Sequence, residues 1–553
     1  MPPFISRAFF KALISCTIML SFAARSEAQT NVRAWSAAGQ VWVVWQADTI
    51  DPITYDVYRI NAIANPSPPT SLTQWTPVGR VFKPEWQGER LKIARSTATW
   101  VTPLPNGGTY TLTPTEGLFV YTPHAGAIEH FAVVRSGATL VATANRIASP
   151  IAVLYDPATT PVRPQAQFGG VSAENHPFTV WGMWADGGTS AANNTPPRPD
   201  YPITASFAKN GSPHIFATFE PIAGIASLQG AYPLQVALHG GGGNFTNWRP
   251  DAAGLANVNV AFPGGLWIAH DDPIYRLRGP GAGSALATNI FWFGYAPSMN
   301  PFVDPGNTPL PNSTPVVGYT LRRLDWVLDW LLQRSPYATT VAPGGAPSGG
   351  IDPTRVNITG HSMGAQGTLL HSRYRPERYA AATAFNPGLQ GAGVSGASTQ
   401  LLGTVSQNLP TDLAAPVGWP TPNLGVTDVF YVENRINLTQ RDLAFSRIYL
   451  GRNDQSNNAD WGPDKVDRYT NINNAGWGMH MYWDDRDHPV ASWNQVTAPN
   501  FPGASNTVAE WVRPPAPITG GQTQRAMPAY NTRYRADETF PAFFNDDQNS
   551  EIP

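Results

Sequence analysis

The residues best suited to chemistry in this chain of 553 residues form the motif Gly360-His361-Ser362-Met363-Gly364. A Gly-x-Ser-x-Gly motif exposes the serine hydroxyl on a sharp turn when a strand precedes it and a helix follows it. The glycines are needed because a side chain at either position would clash in so tight a turn. Ser362 is therefore the candidate nucleophile of an acyl transfer, and a structural serine in a tight turn is the alternative.

Acyl transfer also requires N–H donors that stabilise the negative oxygen formed during the reaction. A glycine run, 239–243 (HGGGG), follows the apolar segment 234–238. Consecutive glycines leave their backbone N–H groups free to point at a ligand oxygen. We expect Gly240 and Gly241 to donate together with the N–H of Met363, the residue after the nucleophile. The sequence does not fix which glycines of the run donate, and a flexible loop is the alternative.

The remaining requirements are a base and an acid that orients it. Asp454 follows the apolar segment 447–450 and is the candidate acid. Three aspartates further along compete with it: Asp460, Asp464 and Asp467. His488 is the candidate base because it follows the apolar segment 479–483, where a loop could bring it to Ser362. His480 lies inside that segment and is the alternative.

The segments that must position these residues alternate between helix and strand patterns. Residues 319–334 carry apolar side chains at helical spacing, 351–355 predict a turn, and 356–359 predict the strand before Ser362. Other strands are predicted at 176–184, 214–220, 234–238, 258–262, 379–385, 447–450 and 479–483, the last of them. This order predicts an α/β fold with a mostly parallel sheet over residues 176–500.

A different pattern occupies residues 31–150. Apolar and aromatic runs at 40–46, 54–60, 117–121 and 129–135 are separated by turn-forming residues, which predicts a small all-β sandwich. Residues 151–175 are rich in Pro, Gln and Gly and predict a linker. The Pro-rich residues 501–553 predict a C-terminal tail.

Residues 1–28 have the pattern of a signal peptide, with basic residues before a short apolar segment and a small-x-small cleavage site. The only cysteine, Cys16, lies within it, so we expect a secreted or periplasmic mature chain without disulfides. A lipoprotein box at Cys16 is disfavoured because too few apolar residues precede it. A buried N-terminal helix is the other alternative.

Composition limits the possible partners. The net charge is −2 and charged residues make up 13% of the chain, which gives no basis for binding nucleic acid. No other segment predicts stable insertion into a membrane, and the ten histidines show no metal-ligand spacing. A long loop at 279–315 carries Trp292 and Tyr295, which are candidates for substrate binding, with core packing as the alternative.

Taken together, the HGGGG run, the serine motif, Asp454 and His488 make residues 176–500 resemble a secreted α/β-hydrolase of the serine esterase and lipase superfamily. The resemblance implies an eight-stranded, mostly parallel sheet, an acyl-serine intermediate, an ester substrate and no cofactor. Residues 31–150 resemble a fibronectin type III module, which implies a spacer that is dispensable for small esters.

Three alternatives to a simple esterase remain from the sequence. The combination of an export signal and a fibronectin-like module resembles extracellular polyester depolymerases, although here the module is N-terminal. A serine peptidase of the prolyl-oligopeptidase type shares the hydrolase fold but usually carries a β-propeller. The third alternative is a binding protein that has the same fold but has lost catalysis. The sequence does not indicate an oligomeric state.

Overall fold

The computed structural model describes residues 30–48, 54–139, 144–172, 175–188, 198–221, 231–247, 265–278, 285–303, 310–312, 315–338, 350–388, 398–415, 419–431, 443–451, 479–484, 488 and 529–530. The strands, helices and contacts of the described fold all lie within these residues. The signal-peptide prediction for residues 1–28 and the strand predicted at 258–262 lie outside them.

The N-terminal part is built mainly of β-strands, as predicted. Its strands are β1 (Thr30–Ala37), β2 (Gln40–Gln46), β3 (Thr54–Asn61), β4 (Thr76–Phe82), β5 (Val101–Pro103), β6 (Thr109–Thr111), β7 (Glu116–Tyr121), β8 (Ala127–Arg135) and β9 (Ile151–Val153). They form one sheet in the order β1-β2-β7, a second in the order β4-β3-β8-β9, and the hairpin β5-β6. Two short helices, α1 (Lys83–Trp86) and α2 (Glu89–Ala94), follow β4. We call β1 to β9 and these helices the N-terminal unit; its assignment to the fibronectin type III class stays a prediction.

The second part is built on a ten-stranded mixed sheet. Its strands are β10 (Gln165–Val171), β11 (Pro177–Trp184), β12 (Pro213–Phe219), β13 (Tyr232–Leu238), β14 (Leu266–His270), β17 (Ile351–His361), β18 (Ala381–Phe385), β21 (Phe445–Gly451), β22 (Met479–Asp484) and β23 (Ala529–Tyr530). The order is β10-β11-β12-β14-β13-β17-β18-β21-β22-β23. The six strands from β14 to β22 run parallel, and the other pairs are antiparallel.

Smaller elements complete the second part. They are the hairpin of β15 (Ile274–Leu277) and β16 (Ala285–Thr288), the pair β19 (Pro410–Ala414) and β20 (Asn423–Gly425), and the helices α3 (Tyr319–Gln333), α4 (Met363–Tyr374), α5 (Thr399–Leu402) and α6 (Val426–Phe430). Short 3-10 helices lie at Leu72–Gln74, Phe207–Lys209 and Pro376–Arg378. No helix within the described part of the chain is long and apolar enough to span a membrane.

Side chains alternate along the strands of the mixed sheet and pack on its two faces. On β13, Val236 and Leu238 pack in the same cluster as the apolar side of α3, including Leu324 and Leu328. Ala237, between them, faces the other way. One face of the sheet is therefore covered by helix, as in α/β folds.

The N-terminal unit covers the opposite face. Trp42 and Val44 of β2 share a cluster with Trp184, Ala237 and other residues of the mixed sheet, and the Trp42 and Trp184 rings lie 4.7 Å apart, edge to face. Val41, Val43 and Trp45, the intervening residues of β2, pack instead inside the N-terminal unit. Because both faces of β2 are buried, the sheet β1-β2-β7 forms a middle layer between two other sheets.

Buried polar contacts join the two parts as well. Lys209 is completely buried and forms an ion pair with Glu85 of α1, which is 2% exposed at its side chain. Asn210 donates to the Val78 carbonyl at 2.8 Å, and His124 lies 2.8 Å from the carboxylate of Asp186. Burying a charge is costly unless it is paired, so these contacts require the two parts to be docked.

Several expectations about the second part need correction. The sheet has ten strands rather than eight, because antiparallel strands extend both edges of the parallel core. The region predicted as a linker contains β9 and β10; β10 is an edge strand with mostly exposed side chains, so its composition is that of a loop. β14 was missed, β17 already begins at Ile351 where a turn was expected, and β23 follows the strand predicted to be the last.

Candidate active site

Ser362 lies on a sharp turn at the carboxyl end of β17, a central strand of the sheet. Its φ of 56° and ψ of −121° are unusual for a residue with a side chain, and such conformations cost on the order of 1–3 kcal/mol. The turn is fixed by two backbone bonds. The Ser362 N–H donates to the Phe385 carbonyl at 2.9 Å, and the Ser362 carbonyl accepts from the Gln366 N–H at 3.0 Å.

The two glycines of the motif are required by contacts with backbone. A Cβ at Gly364 would overlap the carbonyl oxygen of Leu238 on β13, and a Cβ at Gly360 would overlap the Gly364 carbonyl. The sharp turn and the close approach of α4 to the sheet therefore explain the spacing of the motif. Gly367, one turn further along α4, leaves room for the ring of Trp292 in the same way.

His488 is brought to the serine. Its Nε2 lies 2.8 Å from Ser362 Oγ, within hydrogen-bond reach of a nucleophile and its base. His480 lies within β22, on the strand where it was predicted, and its backbone pairs with Tyr530 of β23. The geometry thus pairs Ser362 with the histidine that was preferred from sequence.

Two side chains hold the backbone of His488, and neither was expected there from the sequence. Nε2 of His361 lies 2.7 Å from the His488 carbonyl oxygen, and Asn386 Nδ2 donates to the same oxygen at 3.1 Å. Asn386 follows β18 and has a φ of 50°. Its position at the carboxyl end of the strand beside β17 is the signal that could have identified it, because the carboxyl ends of parallel strands meet at one edge.

The glycine run lies beside the nucleophile. A Cβ at Gly240 would lie 3.5 Å from Ser362 Cβ, in ordinary van der Waals contact, and a tighter 3.3 Å from the His361 carbonyl oxygen. The Gly243 N–H already donates to the Gly240 carbonyl at 3.0 Å. Gly241 is exposed, and Gly242 has a φ of 73°. Gly240 therefore lies beside Ser362, and the Gly243 N–H is used within the loop. The donor roles of Gly240 and Gly241 stay predictions.

Met363 begins α4, where the first N–H groups of a helix have no acceptor within the helix. Its N–H lies on the residue next to the nucleophile, at the end of the helix dipole that favours negative charge. An oxygen held between Met363 and the glycine run would be stabilised by both, as acyl transfer requires.

Trp292 and Tyr295 lie in the core. Trp292 is 0% exposed and Tyr295 is 1% exposed. The Trp292 indole N–H donates to the His239 carbonyl at 3.1 Å, and Tyr295 accepts a bond from the Ser206 N–H at 3.1 Å. Contact with a substrate would require these side chains to be uncovered, so the arrangement favours the core-packing alternative. Trp292 is nonetheless close to the site because it packs beneath the glycine run.

The candidate acid Asp454, together with Asp460, Asp464 and Asp467, lies outside the described residues. The strand that precedes Asp454, β21, ends at Gly451, next to β18 and β22 in the sheet. Its role stays a prediction. Within the described part of the chain, no group of three or more histidine, cysteine or acidic side chains could hold a metal ion.

A buried ionic cluster that was not expected from the sequence lies beneath the glycine run. Asp272 accepts from the Ile290 N–H at 2.7 Å and from the Trp292 N–H at 3.0 Å, which holds a turn in which Phe291 and Trp292 have positive φ. Its neighbour Asp271 pairs with Arg90 of the N-terminal unit. The Asp271 carbonyl accepts from Arg323 of α3 at 2.9 Å. These partners are far apart in sequence, so no local pattern marks them.

The described architecture resembles solved hydrolase structures. An S-formylglutathione hydrolase from Agrobacterium tumefaciens is 14% identical with a TM-score of 0.35, over 59% of this chain and 92% of that one. A ferulic acid esterase is 15% identical with a TM-score of 0.29, over 50% and 86%. An acetyl xylan esterase from Paenibacillus sp. R4 is 15% identical with a TM-score of 0.30, over 59% and 83%.

Neither a protein-family model nor a curated protein matches the chain. The structural neighbours are serine hydrolases and esterases, but likeness at these identities and TM-scores assigns no activity. Any functional conclusion must therefore depend on the geometry of Ser362, His488 and the glycine run.

Proposed function

We propose that this chain is a serine hydrolase that cleaves carboxylic esters through an acyl-serine intermediate. The observation that carries the proposal is the 2.8 Å contact between His488 Nε2 and the hydroxyl of Ser362, which is held in a strained turn at the start of a helix. A strained serine of this kind beside a histidine and a glycine run has the arrangement of an α/β-hydrolase nucleophile.

In the proposed reaction, Ser362 Oγ attacks the ester carbonyl carbon while His488 Nε2 takes the hydroxyl proton. The carbonyl oxygen becomes negative and is bound by the N–H groups of Met363 and Gly240 or Gly241. Protonated His488 then donates its proton to the departing alkoxide, which leaves an acyl-serine. Water activated by His488 attacks that ester, and the acid product and free serine form.

Two further roles belong to the same proposal. Asp454 would orient His488 and stabilise its protonated form, since it follows a strand whose carboxyl end lies at this edge of the sheet. Export through residues 1–28 would place the enzyme outside the cytoplasm. The substrates would be small or polymeric esters, and a polyester is the alternative to a short acyl ester.

Covalent labelling tests the nucleophile and base together. A fluorophosphonate probe should label the wild-type protein but not Ser362→Ala, whereas Ser406→Ala, a change at an exposed serine away from the site, should be labelled normally. Hydrolysis of p-nitrophenyl acetate should fall by about 10⁴-fold or more in Ser362→Ala and His488→Ala. Equal labelling of wild type and Ser362→Ala, or full activity in His488→Ala together with an inactive His480→Ala, would contradict the proposal.

The acyl group is tested with a substrate panel. It contains p-nitrophenyl esters of increasing chain length, feruloyl methyl ester, an acetylated xylan, an aliphatic and an aromatic polyester, and a peptide. Preference for a soluble ester supports an esterase, and preference for polymer supports a depolymerase. Cleavage of the peptide alone would replace the proposal with a peptidase.

A further inference from the structure

A side chain of the N-terminal unit reaches the loop that we propose as the oxyanion hole. Arg90, on α2, donates through Nε to Asp271 Oδ2 at 2.6 Å and through Nη2 to Asp271 Oδ1. The same Nη2 lies 3.5 Å from the carbonyl oxygen of Gly243. The side chains of Arg90 and Asp271 are 17% and 5% exposed, so this two-pronged ion pair is largely shielded from water.

Asp271 and the next residue, Asp272, both lie against His239, the first residue of the glycine run. One carboxylate oxygen of Asp271 lies 3.6 Å from His239 Nε2, and the Asp272 N–H donates to the same nitrogen at 3.1 Å. Because Nε2 accepts that bond, the ring proton lies on Nδ1, which donates to the Gly240 carbonyl at 2.8 Å. His239 is itself completely buried.

The Gly240 carbonyl controls the direction of an oxyanion donor. It accepts from His239 Nδ1 and also from the Gly243 N–H at 3.0 Å. The carbonyl of Gly240 and the N–H of Gly241 belong to one planar trans peptide and point in opposite directions. Because the Gly240 carbonyl is held toward His239 and Gly243, the Gly241 N–H is held in the opposite direction, away from those two residues.

We propose that Arg90 is a positioning residue for ester hydrolysis, through which the N-terminal unit orients the Gly241 N–H toward the developing oxyanion. The inference rests on the function proposed above and adds a role for the N-terminal unit in that site. Arg90 touches neither substrate nor Ser362, and acts through Asp271, His239 and the carbonyl of Gly243. Burial alone would raise the pKa of Asp271, but the charge of Arg90 and the hydrogen bonds that Arg90 donates hold that pKa well below its usual range.

The test compares Arg90→Met with a matched ion pair inside the N-terminal unit. Arg59 pairs with Glu129, whose side chain is 3% exposed, and both residues lie on paired strands β3 and β8. Arg59→Met leaves a buried carboxylate without its arginine, as Arg90→Met does, but changes no contact with the glycine run. Thermal unfolding measures the structural cost of each change, and kcat and KM for p-nitrophenyl acetate measure its catalytic effect.

We expect Arg90→Met to lower kcat roughly 10- to 100-fold with KM changed less than about twofold, since loss of a whole oxyanion donor costs about 10²- to 10³-fold. Binding of a boronic acid that mimics the tetrahedral intermediate should weaken by the same factor as kcat/KM. Arg90→Lys keeps the charge but not the two-pronged contact, so its kcat should lie between those of the wild type and Arg90→Met. Arg59→Met should lower the unfolding temperature and leave kcat per folded molecule unchanged.

Equal kcat in Arg90→Met and Arg59→Met, or unchanged boronic acid affinity in Arg90→Met, would overturn the positioning role. If Arg90→Met does not accumulate as folded protein, the same comparison is made with Arg90→Lys, and wild-type kcat there would likewise overturn it. Failure of the proposed function looks different, because the folded wild-type protein would then hydrolyse no ester. A wild type that is active while Arg90→Met keeps full kcat refutes only the role of Arg90.

Discussion

The N-terminal unit and the mixed sheet are both rich in strands, yet they differ in where the backbone is strained. In the mixed-sheet part, four non-glycine residues with positive φ lie at or beneath the proposed site: Phe291, Trp292, Ser362 and Asn386. Asn175 and Asn408 also have positive φ but lie elsewhere in that part. In the N-terminal unit, such residues are Asn31 and Ala38, which lie at the β1–β2 ribbon and contact none of the proposed catalytic groups. Strain of this kind persists only when the surrounding structure enforces it.

The two parts therefore have different structural roles. The mixed sheet holds an energetically unfavourable turn, and the N-terminal unit covers one face of that sheet with large aromatic side chains. Trp184 of β11 packs against both Trp42 and Trp100, at ring distances of 4.7 Å and 5.2 Å. The expectation of a dispensable spacer is therefore disfavoured, because removing the N-terminal unit would expose this face to water.

Deleting the N-terminal unit should produce the largest effect. We expect a fragment of residues 160–553 to be insoluble or to bind a hydrophobic dye, and to lack the p-nitrophenyl acetate activity of the full chain, because its sheet would lose an apolar cover and Lys209 would lose Glu85. The measurements are solubility, dye fluorescence and activity per mole. A monomeric, soluble fragment with full activity would restore the spacer model.

A point substitution makes the same comparison without deletion. Trp42→Ala should lower the unfolding free energy by about 3–5 kcal/mol and lower the temperature of activity loss, since Trp42 lies in the shared core. Trp75 is also buried but packs in a separate cluster with Ile60 and Ala132, and Trp75→Ala serves as the control. Activity loss at the wild-type temperature in Trp42→Ala would indicate that the two parts unfold independently.

Acid should destabilise the mixed-sheet part through its buried histidines. Burial lowers the pKa of His371 to about 4, against about 6.5 in an unfolded chain. The unfolded chain therefore binds the proton first, and unfolding free energy should fall as pH decreases from about 6.5 to about 4, by about 3 kcal/mol from this group. His371→Gln keeps a donor for the Trp292 carbonyl and should flatten the curve of unfolding free energy against pH. If the slope of that curve is unchanged in His371→Gln, groups other than His371 cause the acid sensitivity.

Substitution of Asn386 should have the smallest effect of these changes. Asn386→Gly removes one donor from the His488 carbonyl while keeping a backbone that tolerates positive φ, so kcat should fall about tenfold through a misplaced base. Asn408→Gly makes the same change at another asparagine with positive φ, and should leave kcat at the wild-type value. Equal kcat in the two variants would show that His361 alone is sufficient to hold the loop.

Local patterns predicted much of this arrangement. The runs at 40–46 and 234–238 predicted β2 and most of β13, and the glycines around Ser362 predicted its turn, because steric conflict with neighbouring backbone leaves no room for a side chain. β14 was missed because its five residues, Leu266–His270, are buried on both faces and so show no alternation of apolar and polar side chains.

What the sequence could not provide were contacts between distant positions. Arg90 and Asp271 are 181 positions apart, and nothing near either residue marks the other as its partner. The continuous apolar run of β2 is consistent with a strand buried on both faces, but the pattern cannot say that the second face belongs to another sheet. Long-range packing decides such questions, and periodicity describes only one element at a time.

The double-sided burial of β2 also bears on how the chain reaches its native state. Gln40, at the start of this strand, bonds to the Trp184 carbonyl 144 positions later. The first strands to leave the ribosome therefore lack half of their apolar partners until β11 has been synthesised. Closure of so long a loop slows folding and leaves aromatic surface open to aggregation meanwhile. A chaperone that holds the nascent chain should raise the yield of active protein more than slower synthesis would.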